Sequence, residues 1–249
     1  MSGAVVTHGT DVLEETAFFL DAVINCGKPV VIVGAMRPAT AISTDGPFNL
    51  LEAVTVAVSP EARDRGAMVV MNDRIVSAYY VTKTNANPMD TFKAMEQGNL
   101  GALVSNVPYF FYPPVKPTGK MEYSAQNITA IPRVDILSSY EDMSPDTLYS
   151  AVANGAKGIV IAGSGPGSVS TIFNNAMEDV IANKIIPIVQ STRAMSGEVP
   201  SSGVESKTAM HIVSGYLNPY KSRILLGLLL AHGKNMTEIA AACLPSTAA

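Results

Sequence analysis

Short apolar runs alternate with stretches of helical period along the 249-residue chain, and the alternation begins almost at once. Residues 4–7 form a β-branched run that stops near a glycine. Over residues 11–26, Val12, Leu13, Thr16, Ala17, Leu20 and Val23 recur near a 3.6-residue period, and Gly27 stands just past the end as a stop signal. Residues 30–33 are apolar without alternation, the pattern of a strand covered on both faces in a parallel sheet. Residues 4–33 thus predict one βαβ unit. Asp45 followed closely by Pro47 predicts a helix start, and that helix extends to Val58, ahead of Ser59-Pro60. A third apolar strand is predicted at 67–71. Asn72-Asp73 then turns the chain into 75–81, one strand of an antiparallel pair.

The pattern lapses at Pro108. Residues 109–119 are rich in proline and aromatics and carry neither period, so 108–130 reads as a linker. Beyond it the alternation restarts, with strands expected at 134–137, 158–162 and 185–189 and helices at 145–154, 168–183, 219–231 and 237–244. This order predicts an α/β protein of two domains. Residues 1–107 would form a mostly parallel, doubly wound sheet, and 131–249 a smaller parallel α/β domain. A doubly wound domain of ~100 residues normally has more strands than 1–107 supply, so the first domain reads as truncated at its front.

Composition narrows the class. Hydrophobic residues make up 47% of the chain and charged ones 15%, which is the balance of a core-rich globular protein. A net charge of -4 leaves no basic face for nucleic acid. No apolar run approaches the ~20 residues needed to span a bilayer, and residues 224–231, between Arg223 and His232, read as a buried helix. Two cysteines (Cys26, Cys243) and three scattered histidines suggest neither a disulfide framework nor a metal site. No charged-then-apolar leader marks secretion, and the compartment stays open.

Ligands of open α/β sheets bind beyond the carboxyl ends of the strands. The segments expected there are Gly9-Thr10-Asp11, Gly34-Ala35-Met36-Arg37-Pro38 and Thr82-Lys83-Thr84-Asn85. Thr10 and Asp11 also fit a purely structural role as helix N-caps, with Glu14 as the acid three residues after Asp11. Lys83 fits a solvated surface position equally well. Brought together, Thr10, Asp11 and Lys83 supply a hydroxyl, an orienting carboxylate and a base, the logic of a Thr-Lys nucleophilic site. The loop Gly163-Ser164-Gly165-Pro166-Gly167-Ser168 follows a strand and precedes a helix, the right place for an anion. It is not a dinucleotide fingerprint: Ser168 occupies the third position, and the next strand ends near Gln190 with no acid for a ribose. No Gly-Lys-Ser/Thr occurs, so a nucleotide-binding module is disfavoured. The loop serves a small ligand or is a tight turn.

Five segments, in order over nearly the whole chain, resemble the bacterial-type L-asparaginases. They are Thr7-His8-Gly9-Thr10-Asp11 with Leu13-Glu14-Glu15-Thr16-Ala17, Val33-Gly34-Ala35-Met36-Arg37-Pro38, Asp45-Gly46-Pro47-Phe48-Asn49-Leu50, Val81-Thr82-Lys83-Thr84-Asn85, and Leu217-Asn218-Pro219 with Lys221 and Arg223. The resemblance implies cofactor-free hydrolysis of L-asparagine, with some L-glutamine, to the acid and ammonia. It also implies a larger N-terminal and a smaller C-terminal domain, and self-association into a homotetramer of intimate dimers. Thr10 would be the second catalytic threonine, with Lys83 and Asp11 as partners. Gly9, Thr10 and Asp11 would hold the substrate, and Ala35 would lie where backbone touches the leaving amide. Ser168, and Glu205 before Leu217-Asn218-Pro219, would reach the substrate from a neighbouring subunit.

One departure stands out. The family's other threonine stands in a Gly-Gly-Thr turn upstream of all these motifs, and this sequence contains no Gly-Gly-Thr. The resemblance therefore implies an asparaginase lacking its front portion, impaired because members of a nucleophilic unit act together. The alternative is an inactive relative that keeps ligand-binding and assembly surfaces.

Overall fold

A computed structural model of the chain describes residues 2–117, 120, 123–126, 128–201 and 212–243. The chain divides into two compact units, Met1–Pro117 and Thr118–Ala249. They are close in length, and the second is slightly the longer because residues from 118 onward cluster with it.

In the first unit a six-stranded sheet is ordered β1-β2-β3-β4-β7-β8. Its strands are β1 (Ala4–Thr7), β2 (Val30–Val33), β3 (Ala67–Met71), β4 (Arg74–Ser77), β7 (Gly101–Val104) and β8 (Val107–Phe110). β1, β2 and β3 run parallel, and the remaining pairings are antiparallel, so the sheet is mixed. Every residue of β2 and β3 is buried, as their unalternating sequences require, whereas β1 at the edge is half-exposed. Helix α1 (Leu13–Val23) packs on β3, and α2 (Gly46–Val58) packs on β1, β2 and β3. Leu13, Phe18, Ile32, Met68 and Ile75 lie at the centre of this unit's buried side chains, each stabilising the fold by ~1.5–3 kcal/mol. A separate ribbon pairs β5 (Thr82–Lys83) with β6 (Phe92–Lys93).

The start of the expected linker needs correcting. Residues 107–110 form β8, pairing antiparallel with β7, and Pro108 lies opposite Leu103. A proline is tolerated there because β8 closes the sheet and has no neighbour on its outer side. The Arg65 guanidinium lies 3.9 Å above the Phe110 ring and donates to Tyr112 O at 2.8 Å, so the aromatic stretch belongs to the first unit.

The second unit has a fully parallel four-stranded sheet, ordered β12-β11-β10-β9. The strands are β9 (Val134–Ser138), β10 (Gly158–Gly163), β11 (Ile188–Thr192) and β12 (Ile212–Val213). Its helices are α3 (Asp146–Ala153), α4 (Thr171–Lys184), α5 (Pro219–Ala231) and α6 (Met236–Cys243). α5 packs on β9, β10 and β11 with Ile224, Leu225, Leu226, Leu228 and Leu229 all buried, the wrapped helix its apolar sequence predicts. Gly158 permits that packing, since a Cβ there would fall 2.8 Å from Leu226 Cδ2. The strand expected at 185–189 begins three residues later. Ile185 instead ends α4 in a left-handed conformation (φ 52°), and Pro187 precedes the strand. Cys26 and Cys243 are free, and among the described residues no helix is long and apolar enough to cross a membrane.

Candidate active site

The loop beyond the carboxyl end of β1 and the ribbon strand β5 bring three of the expected groups together. Lys83 Nζ lies 3.1 Å from Thr10 Oγ1 and 3.2 Å from Asp11 Oδ1. The Lys83 side chain is 18% exposed and that of Asp11 98%, so the cluster has a shielded ammonium and an open carboxylate. The capping alternative for Thr10 and Asp11 does not hold. The N-cap of α1 is Val12, and no side chain caps this helix. Glu14, three residues after Asp11, turns to the ribbon: its Oε2 accepts from Thr82 Oγ1 at 2.7 Å and from the Lys83 backbone N–H.

His8 fastens the Gly9 turn to α1. Its Nδ1–H donates to Gly9 O at 2.6 Å, because a carbonyl can only accept, and in the neutral imidazole Nε2 then accepts from Thr16 Oγ1 at 2.9 Å. Gly34, next along the crest, admits a close approach: a Cβ there would lie 2.8 Å from His8 O and 3.1 Å from Thr10 Cγ2. The sequence motif quotes Gly34 without giving it this task.

The segment 45–49 organises the turn after β2. Asp45 Oδ2 and Oδ1 accept from the Met36 and Arg37 N–H groups, both at 2.9 Å. Asn49 Nδ2 donates to Gly34 O at 3.0 Å and to Asp45 Oδ2 at 2.9 Å, while its Oδ1 accepts from Asn72 N at 3.1 Å. Partial burial alone would raise the Asp45 pKa, but these donors outweigh it and hold the carboxyl below its ordinary value. Ala35, in the middle of the turn, is exposed, and a Cβ on Gly46 would lie 3.3 Å from its own Cβ. Asp45 and Asn49 were legible only as helix-start and motif letters; their grip on residues 34–37 depends on tertiary placement.

Ser168 lies in the second unit, exposed, on the loop after β10. Ser164 N donates to Ser168 O and Ser168 N to Ser164 O, both at 2.8 Å. These two amides are taken up by each other's carbonyls, and they close the loop as a tight turn. Gly163 is obligatory in it, since a Cβ would fall 2.3 Å from Gly167 backbone. α4 begins only at Thr171, where Ser170 Oγ accepts from Phe173 N at 3.3 Å. Glu205 lies outside the described residues.

A hydroxyl and a carboxylate just beyond the carboxyl end of β1, beside an amine carried by the β5 ribbon, supply the groups a nucleophilic hydrolase needs. Residues 1–116 match the family model "Asparaginase, N-terminal", and residues 133–242 match "Glutaminase/Asparaginase C-terminal domain". The chain belongs to the asparaginase family. It is 51% identical over 242 residues to L-asparaginase 2-3 of Saccharomyces cerevisiae, covering 96% of this chain and 66% of that protein. It is 45% identical to L-asparaginase 2 of Bacillus subtilis, covering 97% of this chain and 64% of that one. Among solved structures it resembles a probable cytoplasmic L-asparaginase from Campylobacter jejuni, with TM-score 0.91 and 38% identity over 98% of this chain and 78% of that one. The chain thus spans just under two thirds of the length of these yeast and Bacillus relatives.

Proposed function

We propose that this chain carries the Thr10–Lys83–Asp11 part of an amide-hydrolysing site that converts L-asparagine, and to a lesser degree L-glutamine, to the acid and ammonia. The observation that carries the reading is the position of Lys83 Nζ, within 3.2 Å of both Thr10 Oγ1 and Asp11 Oδ1. Lys83 Nζ acts as the base that takes the hydroxyl proton of Thr10 as its oxygen adds to the side-chain amide carbon. The C–N bond then breaks, the proton passes to the departing nitrogen, and ammonia leaves. Water cleaves the resulting ester and restores the hydroxyl. Asp11 orients the ammonium that forms and accepts from the substrate's α-amino group. Gly9 and Ala35 line the site with backbone, and Ser168 and Glu205 extend it from a neighbouring copy of the chain in a homodimer or homotetramer.

A polypeptide limited to these 249 residues has no Gly-Gly-Thr turn, so its own turnover is expected to be low. The test is mass-spectrometric detection of L-aspartate formed from L-asparagine at high protein concentration. Wild type should form product above the buffer rate, and Lys83→Met should lower the rate by about 100-fold or more. Equal rates in the two would refute the site. Turnover matching that of a longer relative would refute the expected impairment.

A further inference from the structure

Lys83 is placed by a strand too short to place it. β5 has two residues paired with the two residues of β6, Thr82 opposite Lys93 and Lys83 opposite Phe92. Beyond it only Thr84 N, donating to Thr91 O at 2.8 Å, and Asn85 N, donating to Thr91 Oγ1, carry the ribbon further. A ribbon of that size is marginal by itself. Nor can Asp11 hold the ammonium from the far end, since its carboxylate is 98% exposed and an ion pair in water contributes ~0–1 kcal/mol. The lysine side chain is long and flexible, so its head can be fixed only if its backbone is fixed first.

Glu14 supplies that fixed point. It lies in the first turn of α1, buried at 6% exposure, three residues after Asp11. One oxygen, Oε2, accepts both the Thr82 hydroxyl at 2.7 Å and the Lys83 backbone N–H. The hydroxyl pins the first residue of β5, and the amide pins the residue that bears the ammonium. The helix whose approach carries Thr10 and Asp11 therefore also anchors their partner. A first-turn acid serving only the helix dipole needs no burial and no contact with another strand.

We propose that Glu14 is a positioning residue, a buried acceptor that fixes β5 against α1 and thereby sets the Lys83 ammonium between Thr10 and Asp11, a role that rests on the Thr10–Lys83–Asp11 reading above. The acceptor, and not the charge, performs this task. Gln at position 14 keeps one oxygen able to take both donors. Ala removes it, and Asp, one methylene shorter, withdraws it.

The experiment is trace acetylation of the full chain with acetic anhydride, read lysine by lysine in peptide mass spectra, with circular dichroism to report folding. Lys93, whose Nζ meets Asp90 Oδ2 at 2.9 Å on the same ribbon, and exposed Lys157 are internal references. Glu14→Ala and Glu14→Asp should each raise Lys83 labelling about tenfold relative to Lys93, because two donors lose their acceptor. Glu14→Gln should label Lys83 as wild type does. Unchanged Lys83 labelling in Glu14→Asp overturns the proposal, and that variant decides the matter if Glu14→Ala does not fold. Lys83 and Lys93 rising in step also overturns it, since the ribbon as a whole would then have loosened. So does a Gln variant that behaves like Ala. None of these outcomes depends on turnover, so a failure of the hydrolysis reading shows separately, as equal product formation by wild type and Lys83→Met.

Discussion

Glu52 offers the sharpest quantitative test of the packing behind the site. It stands in the middle of α2 with no exposed surface, facing the Asn72-Asp73 turn between β3 and β4. Its Oε2 accepts a long bond from Asp73 N at 3.3 Å, and among the described residues no donor reaches Oε1. Burial, and then the Asp73 carboxylate beside it, push its pKa up from an ordinary 4.5 to about 7. Below 4.5 the folded and unfolded chains both hold the proton. Between 4.5 and about 7 the unfolded chain releases it while the folded one retains it, so stability falls as pH rises through this window. Integrated at 1.36 kcal/mol per pH unit, the loss is roughly 3 kcal/mol. Glu52→Gln imitates the protonated acid and abolishes the titration. Urea unfolding followed by far-ultraviolet circular dichroism at pH 4.5, 6, 7 and 8 should therefore show the wild type losing roughly 3 kcal/mol relative to Glu52→Gln. A difference between the two proteins that stays constant across this range would show that Glu52 is not a retained proton. The consequence reaches the site, because Asn49 ties Asn72 N to Gly34 O and Gly34 abuts Thr10.

Other expected outcomes follow from individual contacts. Gly34→Ala forces a methyl to 2.8 Å from His8 O, and should lower stability by about 1–3 kcal/mol; an unchanged melting midpoint would contradict the close approach. Asp45→Ala strips the acceptor from the Met36 and Arg37 amides and should cost about 1–3 kcal/mol near neutral pH. Since the Asp45 pKa is lowered in the fold, that contribution is present above its ordinary 3.8 and is lost as pH falls through the folded value, which parallel acid titrations of wild type and Asp45→Asn would reveal. Ile185→Gly relieves a β-branched residue at φ 52° whose side chain is largely exposed, and should raise stability by up to about 1 kcal/mol, visible as a higher melting midpoint.

The two-unit α/β order was legible because the buried parallel strands are written as short unbroken apolar runs, expected at 30–33, 67–71 and 158–162 and found there, the last one residue longer. What escaped were elements whose existence depends on partners far away. β7 and β8 follow neither period strictly, and Pro108 disguises the latter as linker; pairing with each other, and Arg65 lying over Phe110, create them. β5 and β6 are too short to leave a pattern at all. The same division runs through the site. Thr10 and Asp11 could be placed at a strand end by reading the chain, whereas the strand expected over 75–81 stops at Ser77 and leaves Lys83 on a separate ribbon. Their convergence was not legible, because it depends on that two-residue ribbon and a carboxylate that reads as a capping partner. Glu14 has the right spacing from Asp11 for a capping box, and the structure sends it the other way.

That redirection explains the spacing of the family segments better than any one catalytic role does. Three side chains at helix starts reach out to neighbouring loops around the crest: Glu14 from α1 to residues 82–83, and Asp45 and Asn49, from the start of α2, to residues 34–37 and 72. The first turn of a helix is rigid, and its side chains point back toward the strand ends where the site lies. A hydroxyl and an amine must be held within a few tenths of an ångström if a proton is to pass between them. Loops alone do not give that precision, and loops tied to helix starts do. Segments 10–14 and 82–83 therefore form one hydrogen-bonded group and 34–37 and 45–49 another, the two meeting where Gly34 abuts Thr10. Removing the acceptor at Glu14 should disturb Lys83, and removing it at Asp45 should disturb the turn at 34–37, although neither acid reacts.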